Sequence, residues 1–163
     1  MTTYYGIMSA LALINLITFI LFFKEKRFNY YFLGILAIVT ISNAGNLVMA
    51  MSKTLGEAYI AKKIHYIGAC FIPPIILMVI FKMCKINVKK WMENVVIMYS
   101  FIIFSMVLTI GHSDIYYKSA KLTKIGDATA LVPEYNFGHS FFYLFIITCE
   151  CCKWCKLCRP RIQ

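Results

Sequence analysis

The chain has 163 residues, 61% of them hydrophobic and 15% charged, with a formal net charge of +10. Soluble domains run at about 45 to 50% apolar and about 25% charged, so a water-soluble fold and a separate soluble catalytic domain are both excluded. The 17 basic residues sit in short clusters between apolar blocks rather than along one amphipathic face, so they read as membrane flanks and not as a nucleic-acid interface.

The first block, Thr3 to Phe23, carries no charge over 21 residues. At 1.5 Å per residue it spans about 32 Å, enough to cross a hydrocarbon core of about 30 Å. No basic n-region or small-residue cleavage site accompanies it, so it reads as a retained helix. The second block, 28–52, is also free of charge and carries Ser42, Asn43 and Asn46 towards its carboxyl end. The third, 64–81, contains Pro73 and Pro74; the fourth runs over 94–110; the fifth, 137–152, is the shortest in apolar content. Residues 153–163 form a short basic, cysteine-rich tail. A single Lys at the centre of a span costs roughly 2.5 to 3.5 kcal/mol on insertion scales, so the absence of charge inside the five blocks reflects selection. The expected fold is all-α: a polytopic transmembrane bundle of about five helices, resident in the cell membrane as a multi-pass protein.

Alternate loops carry unequal numbers of Lys and Arg. Lys24, Lys26, Arg27, then Lys82, Lys85, Lys89, Lys90, then Lys153, Lys156, Arg159 and Arg161 fall on one side, eleven in all; six fall on the other, namely Lys53, Lys62, Lys63, Lys118, Lys121 and Lys124. The side with eleven is expected to be cytoplasmic, which places the amino terminus outside and the carboxyl terminus inside. The longest connection, 111–136, is then external and reads as a small outer cap.

Pro73 and Pro74 remove backbone donors in mid-helix and predict a kink. Such a break serves as a hinge or a ligand-cavity wall, although a static packing kink is the plainer reading. Asn43 and Asn46, three apart on one helical face, are expected to face protein or water, and an interhelical hydrogen bond of about 0.6 kcal/mol is the plainer role. His65, His112 and His139 stand near predicted outer span ends without ligand spacing, which favours interfacial placement over a metal or proton-sensing role. The tail presents Cys149, Cys152, Cys155 and Cys158 at three-residue steps, with Cys151 among them. That spacing suits zinc or an iron-sulfur cluster, but the run overlaps a span end and has no second ligand module. No phosphate-binding glycine loop, nucleophile-base pair or intramembrane carboxylate pair is visible, so no catalytic residue, cofactor or metal is assigned and no enzyme is expected.

Lys63, Ile64, His65, Tyr66, Ile67 and Gly68, followed by Phe71, Ile72, Pro73, Pro74 and Phe81, resemble the amino-terminal seven-transmembrane sensor region of bacterial histidine kinases and diguanylate cyclases. In that region a Tyr-Ile-Gly segment leads into a Phe-x-Pro-Pro break. Trp91 at the fourth span, His112 with Tyr116 and Tyr117 at the start of the long outer loop, and Gly138 with Phe141, Phe142 and Tyr143 at the fifth span are similar in order. The resemblance covers roughly residues 3 to 148 and implies a signal-input module with no phosphoacceptor helix, kinase or cyclase domain of its own. Five spans stand where the family has seven, and a truncated gene, frame-shifted near Thr148, would account for both the missing spans and the cysteine tail.

The leading expectation is a membrane sensor domain whose helices two to five surround a ligand site near the outer leaflet. Pro73, Pro74, Asn43, Asn46, Tyr66 and His65 are its candidate kink and cavity residues. The implied partners are the lipid bilayer, an unidentified small ligand, and a second copy or another membrane signalling protein, with no nucleic acid. A small transporter or channel subunit is the alternative, motivated by the broken helix and the inward asparagines. No intramembrane charge marks a transport pathway.

Overall fold

A computed structural model describes residues 3–24, 30–126 and 128–157, with side chains described for 5–24, 30–126 and 128–151. Lys26, Arg27, Cys158, Arg159 and Arg161 lie outside the described residues, as do the side chains of Cys152, Lys153, Cys155 and Lys156. Five helices form in chain order: α1 (Thr3–Phe23), α2 (Tyr30–Met51), α3 (Leu55–Met83), α4 (Lys90–Leu108) and α5 (Phe137–Leu157). The first four are long and apolar enough to cross a bilayer, whereas the apolar part of α5, Phe137–Cys151, is shorter.

The helical bundle expected from the apolar blocks is present, with two differences. The segment read as a small outer cap contains a β-hairpin, so the chain is not purely α. Strand β1 (Tyr117–Ile125) pairs antiparallel with β2 (Ala128–Tyr135), with Leu122 opposite Leu131 and Lys124 opposite Thr129. The connection has two positions, the first of which is Gly126 at φ +64°, where a residue without a Cβ bears no steric cost. Pro133, which cannot donate to a ladder, is tolerated because a two-stranded sheet has only edges. The second difference is that α3 begins at Leu55 rather than at Ile64. Thr54 starts it with a capping box: its hydroxyl accepts from Glu57 N–H at 3.3 Å, and the Glu57 carboxylate accepts from the N–H groups of Lys53 and Thr54. The charges of Lys62 and Lys63 ended the apolar run without ending the helix.

Helix α3 is the hub, packing on α2, α4, α5 and both strands. Its contact with α2 is close: a Cβ added at Gly45 would meet His65 N at 2.6 Å, and one added at Gly68 would meet Ser42 Oγ at 2.5 Å. Small residues allow this approach, which in lipid replaces the hydrophobic drive between helices with van der Waals contact. The main core joins Ala61, Tyr66 and Cys70 of α3 to Ile103 and Val107 of α4, Phe145 of α5, and Tyr116 and Leu131 of the hairpin region. A smaller cluster of Leu77, Met78 and Phe81 closes the opposite end, where the Lys82 ammonium lies 4.3 Å above the Tyr31 ring. Ile14, Leu21, Met98, Ile102, Leu144 and Ile147 remain exposed on α1, α4 and α5, and these are the faces a bilayer covers.

The corner between β2 and α5 is pinned by Asn136. Its carboxamide nitrogen donates to Asp114 O at 2.5 Å, its carboxamide oxygen accepts from Phe137 N–H at 2.8 Å, and its backbone N–H donates to Tyr116 O at 3.1 Å. Asn136→Ala removes both side-chain bonds at the start of α5 and is expected to lower stability by about 1 to 2 kcal/mol. A thermal melt of the detergent-solubilised protein checks this, and an unchanged midpoint would mean that the corner is held by its backbone bonds alone.

Candidate functional site

The six residues singled out from sequence do not form one constellation. His65 and Pro73 line an open groove of about 380 Å³ between α2, α3 and α5, with Ser42, Gly68, Ala69, Ile72, Phe142 and Ile146. Pro74 and Tyr66 are buried, and Asn43 and Asn46 are half-buried on α2, outside this groove. The asparagines make no hydrogen bond among the described residues, so the interhelical bond expected of them is absent there. Helix α3 runs unbroken through both prolines. Because neither proline has an N–H, the carbonyls of Ala69 and Cys70 receive no donor from four residues ahead. Ala69 therefore brings to the groove wall a carbonyl that lacks its usual helical donor.

Ser42 is the polar centre of the groove. Its hydroxyl donates to His65 O at 3.1 Å and lies 3.1 Å from His65 Nδ1. One hydroxyl has one proton, so this pairing fits the tautomer in which Nδ1–H donates to Ser42 Oγ and Nε2 is left as an acceptor. The groove thus offers a ring nitrogen and a carbonyl in an otherwise apolar wall of small and aromatic side chains.

Phe142 connects the groove to an aromatic cluster at the hairpin end of the bundle. The Tyr66 ring meets those of Phe142 and Tyr116 edge-on, at 5.7 and 5.3 Å between centroids. Tyr117 donates its hydroxyl to that of Tyr66 at 3.4 Å. His139 Nδ1 lies 3.1 Å from the Tyr116 hydroxyl, and its ring stacks on Tyr135 at 3.7 Å and 9°. Burial pushes the phenols of Tyr116 and Tyr117 far above their ordinary range, so both keep their protons at physiological pH. His139 Nε2 is buried and has no hydrogen-bond partner among the described residues. The cluster therefore fastens the first residues of the hairpin to α3 and α5 at once.

Sequence reasoning identified Tyr66, read His139 as an interfacial residue and passed over Tyr135, and it used Tyr116, Tyr117 and Phe142 only as family markers. The signal was available: aromatic residues crowd both ends of the long connection, where interfacial rings also belong. Among the described residues no group of three or more His, Cys, Asp or Glu side chains is placed to hold a metal ion.

Residues 7–152 match the family described as the N-terminal 7TM region of histidine kinase. The chain belongs to that family. No curated protein and no solved structure matches it. The matched range takes in the groove, the aromatic cluster and the hairpin. The chain is a multi-pass membrane input module, as the sequence led one to expect.

Proposed function

We propose that this sensor region perceives a ligand in its hairpin-side half and passes the signal through α3 and α5. The observation that carries the reading is the hydrogen-bonded aromatic cluster, which ties the hairpin to both helices and abuts the Ser42–His65 groove through Phe142. A ligand that binds more tightly when the groove is open shifts the helix equilibrium by its differential affinity for the two states. The proline pair of α3 is the flexible point. The module is non-enzymatic in this reading. Its partners are the bilayer and membrane signalling proteins, whether a second copy or a kinase of the same family.

The excess of Lys and Arg in alternate loops supports a topology with the amino terminus and hairpin outside and the carboxyl terminus in the cytoplasm. A periplasmic phosphatase reporter fused after Gly126 is expected to be active, and one fused after Lys85 inactive. The reverse pattern would invert the proposed topology.

The functional test pairs deletion with a groove-filling variant. Loss of the chain is expected to change the output of at least one two-component system. Ile72→Trp, which places an indole in the groove, is expected to abolish the response at unchanged membrane abundance. A wild-type response from Ile72→Trp would remove the groove from the mechanism, and unaltered two-component output on deletion would overturn the input role.

A further inference from the structure

A second site, separate from the α2–α3–α5 groove, lies between the hairpin and the α1–α2 pair. A cavity of about 390 Å³ opens there, and its wall includes Lys53, Lys124 and Thr129. Lys124 shares the hairpin face of Leu122, since the two are separated by one residue, and stands opposite Thr129 in the ladder. Apart from Lys124 and Thr129 that face is apolar, with Leu131 buried in the core. Lys53 reaches the same cavity from beyond the carboxyl end of α2.

Each lysine alone has an ordinary explanation: a cation after a helix carboxyl end meets its dipole, and an inward charge blunts an edge strand. What those explanations leave out is that the two meet across one cavity with no carboxylate in its wall. The Glu57 carboxylate, four residues from Lys53, accepts from the N–H groups of Lys53 and Thr54 and is attracted by the Lys53 charge, but it is not part of the cavity wall. The other polar groups of the wall are satisfied internally: Tyr5 donates its hydroxyl to Ala50 O at 2.7 Å, and Ser52 donates to Val48 O at 2.8 Å. The Thr129 hydroxyl has no protein partner among the described residues. Two lysines and one hydroxyl-bearing residue thus line a space of small-molecule size.

Below this cavity lies a second of about 340 Å³, lined by Tyr5, Ser9, Leu47 and Met51. Tyr5 and Met51 line both, so the two adjoin. The lower one is apolar and runs between α1 and α2 on faces that a bilayer covers. A cationic chamber at the water boundary that continues into an apolar slot has the shape of a head group and its chain.

We propose that the joined cavities bind an anionic amphiphile, with its phosphate or carboxylate head between Lys53 and Lys124 and its chain along Leu47. The head chemistry is shared by membrane lipids and by free anions, and the chain slot is what favours the former. The test uses the purified full-length chain in neutral detergent, with lysophosphatidylglycerol, lysophosphatidylcholine and inorganic phosphate as probes and bound adducts read by native mass spectrometry. Lysophosphatidylglycerol is expected to bind at least ten-fold more tightly than lysophosphatidylcholine. The Lys53→Gln/Lys124→Gln double variant should erase that preference, and Leu47→Trp should weaken both lipids. Lys118→Gln/Lys121→Gln, outside the cavity wall, should leave binding unchanged. A diazirine-bearing analogue should label peptides that contain Tyr5 or Met51 in the wild-type protein, which keeps the test independent of how any variant folds. Equal binding of the two lipids, competition by inorganic phosphate at equal concentration, an equal loss in the Lys118/Lys121 variant, or labelling elsewhere would each overturn the proposal.

Discussion

Gly45→Leu is expected to separate α2 from α3 and to cost about 3 kcal/mol or more. The new Cβ would stand 2.6 Å from His65 N and 3.0 Å from Ala61 O. Both are backbone atoms in the middle of α3 and cannot turn aside as a side chain tip can. The helices would have to move apart, which also breaks the Ser42 contacts to His65. A thermal melt of the detergent-solubilised protein should show a large fall in midpoint. Gly34→Leu is the matched control, because nothing lies within 4 Å of a Cβ there. Gly68→Ala should also destabilise the α2–α3 contact, since the Ser42 hydroxyl at 2.5 Å can rotate at the expense of its bonds to His65 but Ser42 Cβ at 2.6 Å is fixed to the backbone of α2. If Gly45→Leu melts with the Gly34 control, the close approach of α2 and α3 is not as described.

Tyr116→Ala is the second large effect. The side chain is completely buried, touching the rings of Tyr66, Tyr117 and His139. Removing an aromatic ring from such a site costs about 4 kcal/mol, part transfer and part cavity. Tyr116→Phe keeps the ring and removes only the hydroxyl that meets His139 Nδ1, so its cost is about 1 kcal/mol. Amide hydrogen exchange separates a local effect from a global one: in the alanine variant, β1 and β2 should lose protection before α3 and α4 do. Equal costs for the two substitutions would mean that the histidine hydrogen bond, and not ring packing, holds the hairpin down.

The membrane helices were legible because hydrocarbon excludes charge, and a charge-free run of span length is hard to hide. Helix α1 was read at its observed limits, and α2 to within a few residues. The start of α3 was not, because Lys62 and Lys63 mark where the chain leaves the apolar layer, whereas the helix ends only where Thr54 and Glu57 cap it. The hairpin was missed although Gly126-Asp127 between Ile125 and Ala128 is a two-residue turn signal. Lys124 on the inward face broke the alternation that would have flagged a strand.

The site was legible in part. Tyr-Ile-Gly and Pro-Pro spacing pointed to α3, and His65 and Pro73 do share a groove. The other half of that groove comes from Phe142 and Ile146 on α5, and the cluster above it from Tyr116, Tyr117, Tyr135 and His139. Those partners are brought in by tertiary packing across a connection whose strand pairing was not recognised. Asn43 and Asn46 are half-buried but outside the groove, since helical spacing shows that two residues share a face without showing which cavity that face lines.

Helix α1 has none of its apolar window buried, and among the helices it packs on α2. Its inclination is therefore governed less by protein neighbours than by the match between its 21 residues, about 32 Å of rise, and the thickness of the surrounding lipid. In a thinner bilayer α1 leans while α2 to α5 keep their mutual angles, so the slot between α1 and α2 widens or narrows with the membrane itself.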